Sequence, residues 1–302
     1  MVISAPELVS QVKLDKYLGL ARALTLVEND LAGSADLLRN LQPSGAPLIG
    51  ITGPPGAGKS TLVNAMINRL TEQGKRIAVL AVDPSSPFNL GSLLGDRVRM
   101  AEQFNKPNVY IRSIATRGSL GGLSAKTIEM TDVLKSVGFD YILVETVGVG
   151  QSEVEIAGLA DISVVVLVPE SGDEIQNMKS GLMEIADIFI VNKSDREGAD
   201  RFANNLKKLV HQRPELIPVI STVANKSGGI DELMTALEAQ PLRENARRAF
   251  LLAEKAWKLI QNHRMKNIDK SRLQEDILLA STKPDFNLYR FIDRFTAESK
   301  HS

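Results

Sequence analysis

The stretch Leu48-Ile49-Gly50-Ile51-Thr52-Gly53-Pro54-Pro55-Gly56-Ala57-Gly58-Lys59-Ser60-Thr61 decides the fold. Leu48 to Thr52 reads as a short buried strand, and the residues from Lys59 onward read as an amphipathic helix. A glycine-rich turn between strand and helix is the context a phosphate-binding P-loop requires. Its glycines let backbone N–H groups curl inward toward phosphate oxygens, and the helix N-terminus adds partial positive charge. In this reading Gly53, Pro54, Pro55, Gly56, Ala57, Gly58, Lys59, Ser60 and Thr61 surround the phosphates. Lys59 reaches the β- and γ-phosphates, and the Ser60 hydroxyl ligates Mg²⁺. A plain glycine-rich connector is the alternative, and the complete G-x₄-G-K-S spacing argues against it.

Outward from this loop, short apolar runs recur at 76–82, 109–113, 141–146, 163–168, 188–192 and 218–222, alternating with amphipathic segments. Strands this apolar are covered on both faces, which predicts an α/β fold of the P-loop NTPase type with a mainly parallel sheet. The spacing predicts helices over Lys59–Gln73, Ser124–Val137, Glu174–Ile185 and Arg201–His211. The pattern is helical from Pro6 to about Asn40, with apolar residues at Leu14, Leu18, Ala21 and Leu24, and breaks at the Pro/Gly/Ser stretch Gln42–Pro47. Beyond Pro241 one long helix is expected to about Met265, with Phe250, Ala253, Trp257 and Ile260 on one stripe. Further helix is expected over Arg272–Phe295, interrupted near Lys283-Pro284. The expected organisation is a helical N-terminal extension over 1–45, a nucleotide-binding domain over 46–240 and a helical region over 241–302.

A second motif names the base. Asn192-Lys193-Ser194-Asp195 follows the strand IFIVN, and the Asp195 carboxylate can accept from both the ring N–H and the exocyclic amine of guanine. Leaving that carboxylate unpaired against adenine costs about 1–3 kcal/mol, so the expected ligand is GTP or GDP. Asn192 ties this loop to the P-loop, and the Lys193 stem covers the base. Ser221, Thr222 and Val223, at the end of the next strand, complete the base pocket through backbone contacts; an ordinary strand exit would look the same.

Ligands in such sheets collect at the carboxyl ends of strands, where two acidic strand ends lie. Asp83 closes the run RIAVLAV, and Glu145 closes YILVE. Carboxylates there hold Mg²⁺, commonly through water; an Asp turn former and an exposed Glu are the structural alternatives. Gly148 lets the backbone approach the γ-phosphate, making Gly148–Glu155 a segment that orders with GTP and relaxes with GDP. Asp96 follows a loop that could close over the nucleotide, although helix N-capping explains it equally. The segment Glu170–Glu174, with Gln176 and Lys179, reads either as a nucleotide-sensing loop or as a helix start capped by Asp173.

Composition closes off other chemistries. The 302 residues contain no cysteine and only three histidines, His211, His263 and His301, which removes disulfides, thiolate zinc sites and Cys nucleophiles. Lys+Arg and Asp+Glu both total 36, which argues against electrostatic capture of nucleic acid or an anionic membrane. The N-terminus is too polar for a signal peptide, and no long apolar run is present. A cytoplasmic protein, or one of an organelle interior, is expected.

The combined motifs resemble the MeaB/ArgK family of G-protein chaperones for adenosylcobalamin-dependent mutases such as methylmalonyl-CoA mutase. The matching stretches are ARALTLVEN (21–29), GPPGAGKST (53–61), AVDPSSPFNLGSLLGDRVRM (81–100) and RSIATRGSLGGLS (112–124). They continue with VETVGVGQSEVE (144–155), GDEIQNMKSGLMEIADIFIVNKSD (172–195) and GIDEL (229–233). The resemblance implies a fold of the signal-recognition-particle and MinD-like class, a homodimer assembled through C-terminal helices, and GTP-gated delivery or protection of a cobalamin cofactor. By match, Asp83, Asp96 and Glu145 correspond to the magnesium and base carboxylates, and Asp173 and Lys179 to the loop that meets the mutase. The chain departs from the family pattern at Ser119 and Asn89-Leu90. The expected reaction is attack of water on the γ-phosphate of GTP, slow alone and faster with a partner, with Lys59, Glu145 and Asp96 as catalytic residues. Two other readings are a nickel-insertion GTPase, which the missing cysteines disfavour, and a kinase acting on a transport protein, for which no acceptor base is evident.

Overall fold

In a computed structural model of the chain, the described residues are 17–42, 45–83, 100–115, 125–146, 152–171, 182–211, 216–241, 253, 256–257, 259–261, 263–266, 268–283 and 285–298. They divide into two compact units, one ending at Leu251 and the other running from Leu252.

The first unit is built on seven strands: β1 Leu48–Thr52, β2 Ile77–Asp83, β3 Val109–Ala115, β4 Tyr141–Glu145, β5 Ile162–Leu167, β6 Ile188–Val191 and β7 Val219–Ser221. Their order is β3-β2-β4-β1-β5-β6-β7, and every neighbouring pair is parallel. Among the described residues, the helices of this unit are α1 Leu18–Glu28, α2 Ser34–Arg39, α3 Lys59–Glu72, α4 Ala125–Lys135, α5 Ser152–Leu159, α6 Leu182–Ile185, α7 Ala199–Val210 and α8 Ile230–Ala239.

Side-chain alternation explains why the strands are apolar throughout. Ile49, Ile51, Val79, Leu143, Val164, Val166 and Ile190 join one core beneath α3 and α8. Their neighbours Leu48, Ala78, Leu80, Ile142 and Val144 enter a second core under α1, α2 and α4. Val165, Leu167, Phe189 and Val191 enter a third with Phe202, Leu206 and Val210 of α7. Both faces of the sheet are therefore buried, as an all-parallel sheet demands.

The N-terminal helical pattern is described from residue 17 on, residues 6–16 lying outside the described ones, and consists there of α1 and α2, between which Asp30 (φ 52°) and Gly33 (φ 94°) adopt left-handed backbone. The pattern continues because both helices bury apolar residues, Leu20, Ala23, Leu24 and Val27 on α1 and Leu37 on α2, in one core with the sheet. Helices α5 and α8 were not anticipated. Of the helix expected over Glu174–Ile185, only the end is among the described residues, as α6.

In the second unit the described members of the expected helix Leu242–Met265, from Ala253 to Met265, are helical. Two further helices follow, α9 Lys270–Ser281 and α10 Leu288–Glu298, with the break where the Lys283-Pro284 signal placed it. The Asp269 side chain caps α9 by accepting from the backbone N–H groups of Ser271 and Arg272. No residue of α9 is buried, and Trp257, Leu278, Leu279 and Tyr289 are exposed.

Candidate functional site

β1 lies where the strand order turns, with β4 on one side and β5 on the other. The crevice at the carboxyl ends of these strands is where an open parallel sheet binds ligands, and the Gly53–Gly58 loop leaves β1 into it. Two glycines there are sterically compelled. A Cβ on Gly53 (φ 141°) would stand 2.0 Å from the Val166 carbonyl oxygen of β5. A Cβ on Gly58 (φ 86°), which also caps α3, would stand 2.4 Å from Nδ2 of Asn192.

At the P-loop, Lys59 is only 6% exposed. Its Nζ donates to the carbonyl oxygens of Gly53 (2.9 Å) and Pro54 (3.1 Å). The ammonium is thus folded over the loop on acceptors that phosphate oxygens can replace with charge-assisted bonds. One residue on, Ser60 Oγ donates to Glu145 Oε1 at 2.6 Å, and both side chains are buried. A hydroxyl and a carboxylate side by side form a hard-oxygen donor pair at the foot of the loop. That chemistry fits a magnesium ion, which takes one or two protein oxygens and completes its shell with water and phosphate.

The Asn192–Asp195 loop is organised by Asn192, 2% exposed. Its Nδ2 donates to the Ala57 carbonyl of the P-loop at 2.9 Å. Its Oδ1 accepts from Thr222 Oγ1 at 3.1 Å and from the Ala224 N–H at 3.2 Å. One side chain therefore joins the loops that follow β1, β6 and β7. Lys193 has left-handed backbone (φ 57°), and its Nζ donates to the Gly56 carbonyl at 2.7 Å, so its stem crosses to the P-loop. Thr222 is buried and tied twice more through its backbone, donating to Val191 and accepting from Ser194; Ser221 is exposed and Val223 half-buried. Asp195 is half-exposed and its Oδ2 accepts from Lys226 Nζ at 3.3 Å.

Beside this loop, Arg196 pairs with Glu170, which lies in the turn Pro169–Ser171 after β5. The Arg196 hydrogen bond holds the Glu170 carboxyl below the usual carboxylate range. Asp83 ends β2, its backbone paired with Ala115, while its carboxylate lies outside the described atoms. Asp96, Gly148, Gln151, Asp173, Gln176 and Lys179 lie outside the described residues. The structure thus brings together Lys59, Ser60 and Glu145 at one end and Asn192, Lys193, Asp195 and Thr222 at the other. Sequence reading did not single out Thr52 and Thr146, whose hydroxyls meet at 2.9 Å between the two strand ends, or Lys226. Motif spacing carries no signal for any of them, because each depends on which strands become neighbours.

A parallel sheet whose P-loop is hydrogen-bonded to an Asn-Lys-x-Asp loop two strands away defines a P-loop GTPase. Comparison with known proteins narrows the class. The family model described as methylmalonyl-CoA mutase-associated GTPase MeaB matches residues 20–278, and the chain belongs to this family. A protein of Pyrococcus abyssi that carries a GTPase name is 46% identical over 267 residues, 84% of this chain and 81% of its own length. GTPase ArgK of Escherichia coli is 36% identical over 285 residues, 86% of each chain. The mitochondrial methylmalonic aciduria type A homolog of Mus musculus is 40% identical over 238 residues, 71% of this chain and 57% of its own. Among solved structures, one described as a LAO/AO transport system kinase is similar with TM-score 0.68 and 26% identity, covering 98% of this chain and 97% of its own. The chain is accordingly a guanine-nucleotide-binding GTPase related to ArgK and to the methylmalonic aciduria type A protein. No helix among the described residues is long and apolar enough to cross a membrane.

Proposed function

We propose that this GTPase is the chaperone of an adenosylcobalamin-dependent acyl-CoA mutase of the methylmalonyl-CoA mutase type, gating the loading and protection of its cofactor. The observation that carries the reading is the Asn192 bridge between P-loop and base loop, set in a chain that matches the mutase-associated family over 20–278. A bridge of this kind makes phosphate state and base occupancy mechanically one event, as a switch needs.

In this reading the triphosphate lies along Gly53–Thr61, with Gly148 beside the γ-phosphate. Asn192, Lys193 and Asp195 recognise guanine, with Ser221, Thr222 and Val223 at the rim. Mg²⁺ is held by Ser60 with Asp83, Asp96 and Glu145, and when bound it neutralises charge developing on the phosphates. Lys59 exchanges its two loop carbonyls for phosphate oxygens, and Glu145 and Asp96 hold and orient. Water attacks the γ-phosphorus, the bond to the β–γ bridging oxygen breaks, and GDP and phosphate leave. Positioning and charge stabilisation supply the rate, which is slow until the partner binds.

The proposed layout is a helical extension over 1–45, the GTPase domain over 46–240 and a dimerising region over 241–302. Exposed Trp257, Leu278, Leu279 and Tyr289 support a homodimer through the last region. Zero formal charge supports a protein partner over nucleic acid or membrane, and the proposed compartment is the cytoplasm. The name of the solved neighbour supplies a second reading, phosphoryl transfer to a transport protein. Incubation with γ-labelled GTP separates the two: label on free phosphate supports the switch, and label on an added acceptor supports the kinase. For the chaperone itself, size-exclusion chromatography with an adenosylcobalamin-dependent mutase should show complex formation that differs between GDP and a non-hydrolysable GTP analogue. Failure to bind such mutases in either state contradicts the chaperone role and leaves the GTPase intact.

A further inference from the structure

The end of β4 is tied on both faces of the sheet, to helix α3 on one and to the end of β1 on the other. On the α3 face, Ser60 Oγ donates to Glu145 Oε1. Alternation along the extended chain turns the next residue, Thr146, to the opposite face. There its Oγ1 donates to Thr52 Oγ1 at 2.9 Å, with the Ile51 carbonyl oxygen at 3.5 Å as the weaker acceptor. Thr52 and Thr146 are 0% and 1% exposed, and the Thr146 N–H donates to the Ile51 carbonyl at 3.0 Å, extending the strand ladder past Glu145.

The two ties are not equivalent. In the reading above, the Ser60–Glu145 bond belongs to the cation site itself, because the Ser60 hydroxyl can donate to the carboxylate while a lone pair of its oxygen faces the cation. The Thr52–Thr146 bond touches neither nucleotide nor cation. Thr52 is the last residue before the P-loop, and Thr146 is the first after Glu145. We infer that the buried Thr52–Thr146 hydrogen bond is a positioning pair that holds the Glu145 carboxylate in register with Ser60, so that both present their oxygens to the cation together. A buried hydroxyl pair suits this task, since a hydroxyl left unpaired there is costly and the pair resists slipping.

The proposal rests on the magnesium reading of Ser60 and Glu145, and the test keeps the two apart. Affinity for a fluorescent GDP analogue is measured on the full chain with magnesium and with EDTA, alongside single-turnover GTP hydrolysis. For Thr146→Val, affinity in EDTA should stay within about twofold of the parent. The gain conferred by magnesium should fall about tenfold, as expected for one buried hydrogen bond, and hydrolysis should slow with it. Thr146→Ser, which keeps the hydroxyl, should restore both. Thr52→Val removes the acceptor and carries the same expectation, so it replaces Thr146→Val should that variant not fold. A parental magnesium gain in both valine variants overturns the inference, as does a serine variant as impaired as the valine one. Absence of any magnesium gain in the parent protein overturns the metal reading itself.

Discussion

The proposed phosphate end and the proposed base end of this site are secured by different chemistry. At the first, charged groups are buried: the Lys59 ammonium donates to two carbonyls of its own loop, and the Glu145 carboxylate at the end of β4 accepts from Ser60. At the other, the buried group is a neutral amide, Asn192, and Asp195, the proposed guanine reader, stays half-exposed beside Lys226. A buried ammonium can be exchanged onto phosphate without new desolvation, so that end is suited to strong, unspecific grip. An amide hub with an exposed carboxylate is suited to holding geometry while the carboxylate discriminates.

Substitutions at the two ends should separate grip from discrimination. The largest effect is expected for Lys59→Ala, which removes the cation at the phosphates. Hydrolysis should fall by roughly 10²-fold or more, the scale of losing one electrostatic group in the transition state, read by phosphate release. Retained turnover would dissolve the contrast at its phosphate end. Next is Asn192→Ala, which strips the partners from the Ala57 carbonyl, Thr222 Oγ1 and the Ala224 N–H together. Leaving such groups unpaired should cost about 2–3 kcal/mol of stability in denaturant unfolding and weaken GTP and GDP alike. Asp195→Asn should leave stability unchanged, weaken GTP binding by about 1–3 kcal/mol and improve binding of xanthosine triphosphate. A variant that loses affinity for both bases equally would make Asp195 a structural residue.

The smallest effect is expected for Arg196→Ala. Arg196 lowers the Glu170 pKa, so the pair's contribution is present above the ordinary glutamate value, about 4.3. It is lost as pH falls through the lower folded value. Both partners are exposed, so screening limits the contribution to under about 0.5 kcal/mol. The variant's melting temperature should differ slightly from the parent's at neutral pH and converge with it in acid. A difference that widens in acid would contradict the assignment.

The same contrast explains what could be read from the sequence. Strand β1, the P-loop and α3 were legible because glycine spacing, an apolar run and a helical period coincide within fourteen residues. The parallel sheet was legible because its strands lack a polar face. Asn192 was legible as a tie because the motif names it, but its partners Thr222 and Ala224 required knowing that β6 and β7 are neighbours. Thr52 and Thr146 are 94 residues apart, and nothing local distinguishes a buried threonine from an exposed one. The break between α1 and α2 was hidden because both helices bury apolar residues in the same core, leaving the periodic pattern to run across the turn at Asp30 and Gly33. Helix α5 escaped because Ser152–Leu159 is short and bounded by the glycine-rich segment that dominated its reading.

The most direct test of the shared site is titration calorimetry of the pure protein with GDP and ADP in magnesium, repeated on Asn192→Ala. Joined ends predict strong heat with GDP, little with ADP, and a loss in the variant that includes the affinity for pyrophosphate alone. Equal affinities for GDP and ADP, or a variant that binds pyrophosphate as the parent does, would contradict the central claim that one amide couples phosphate grip to base reading.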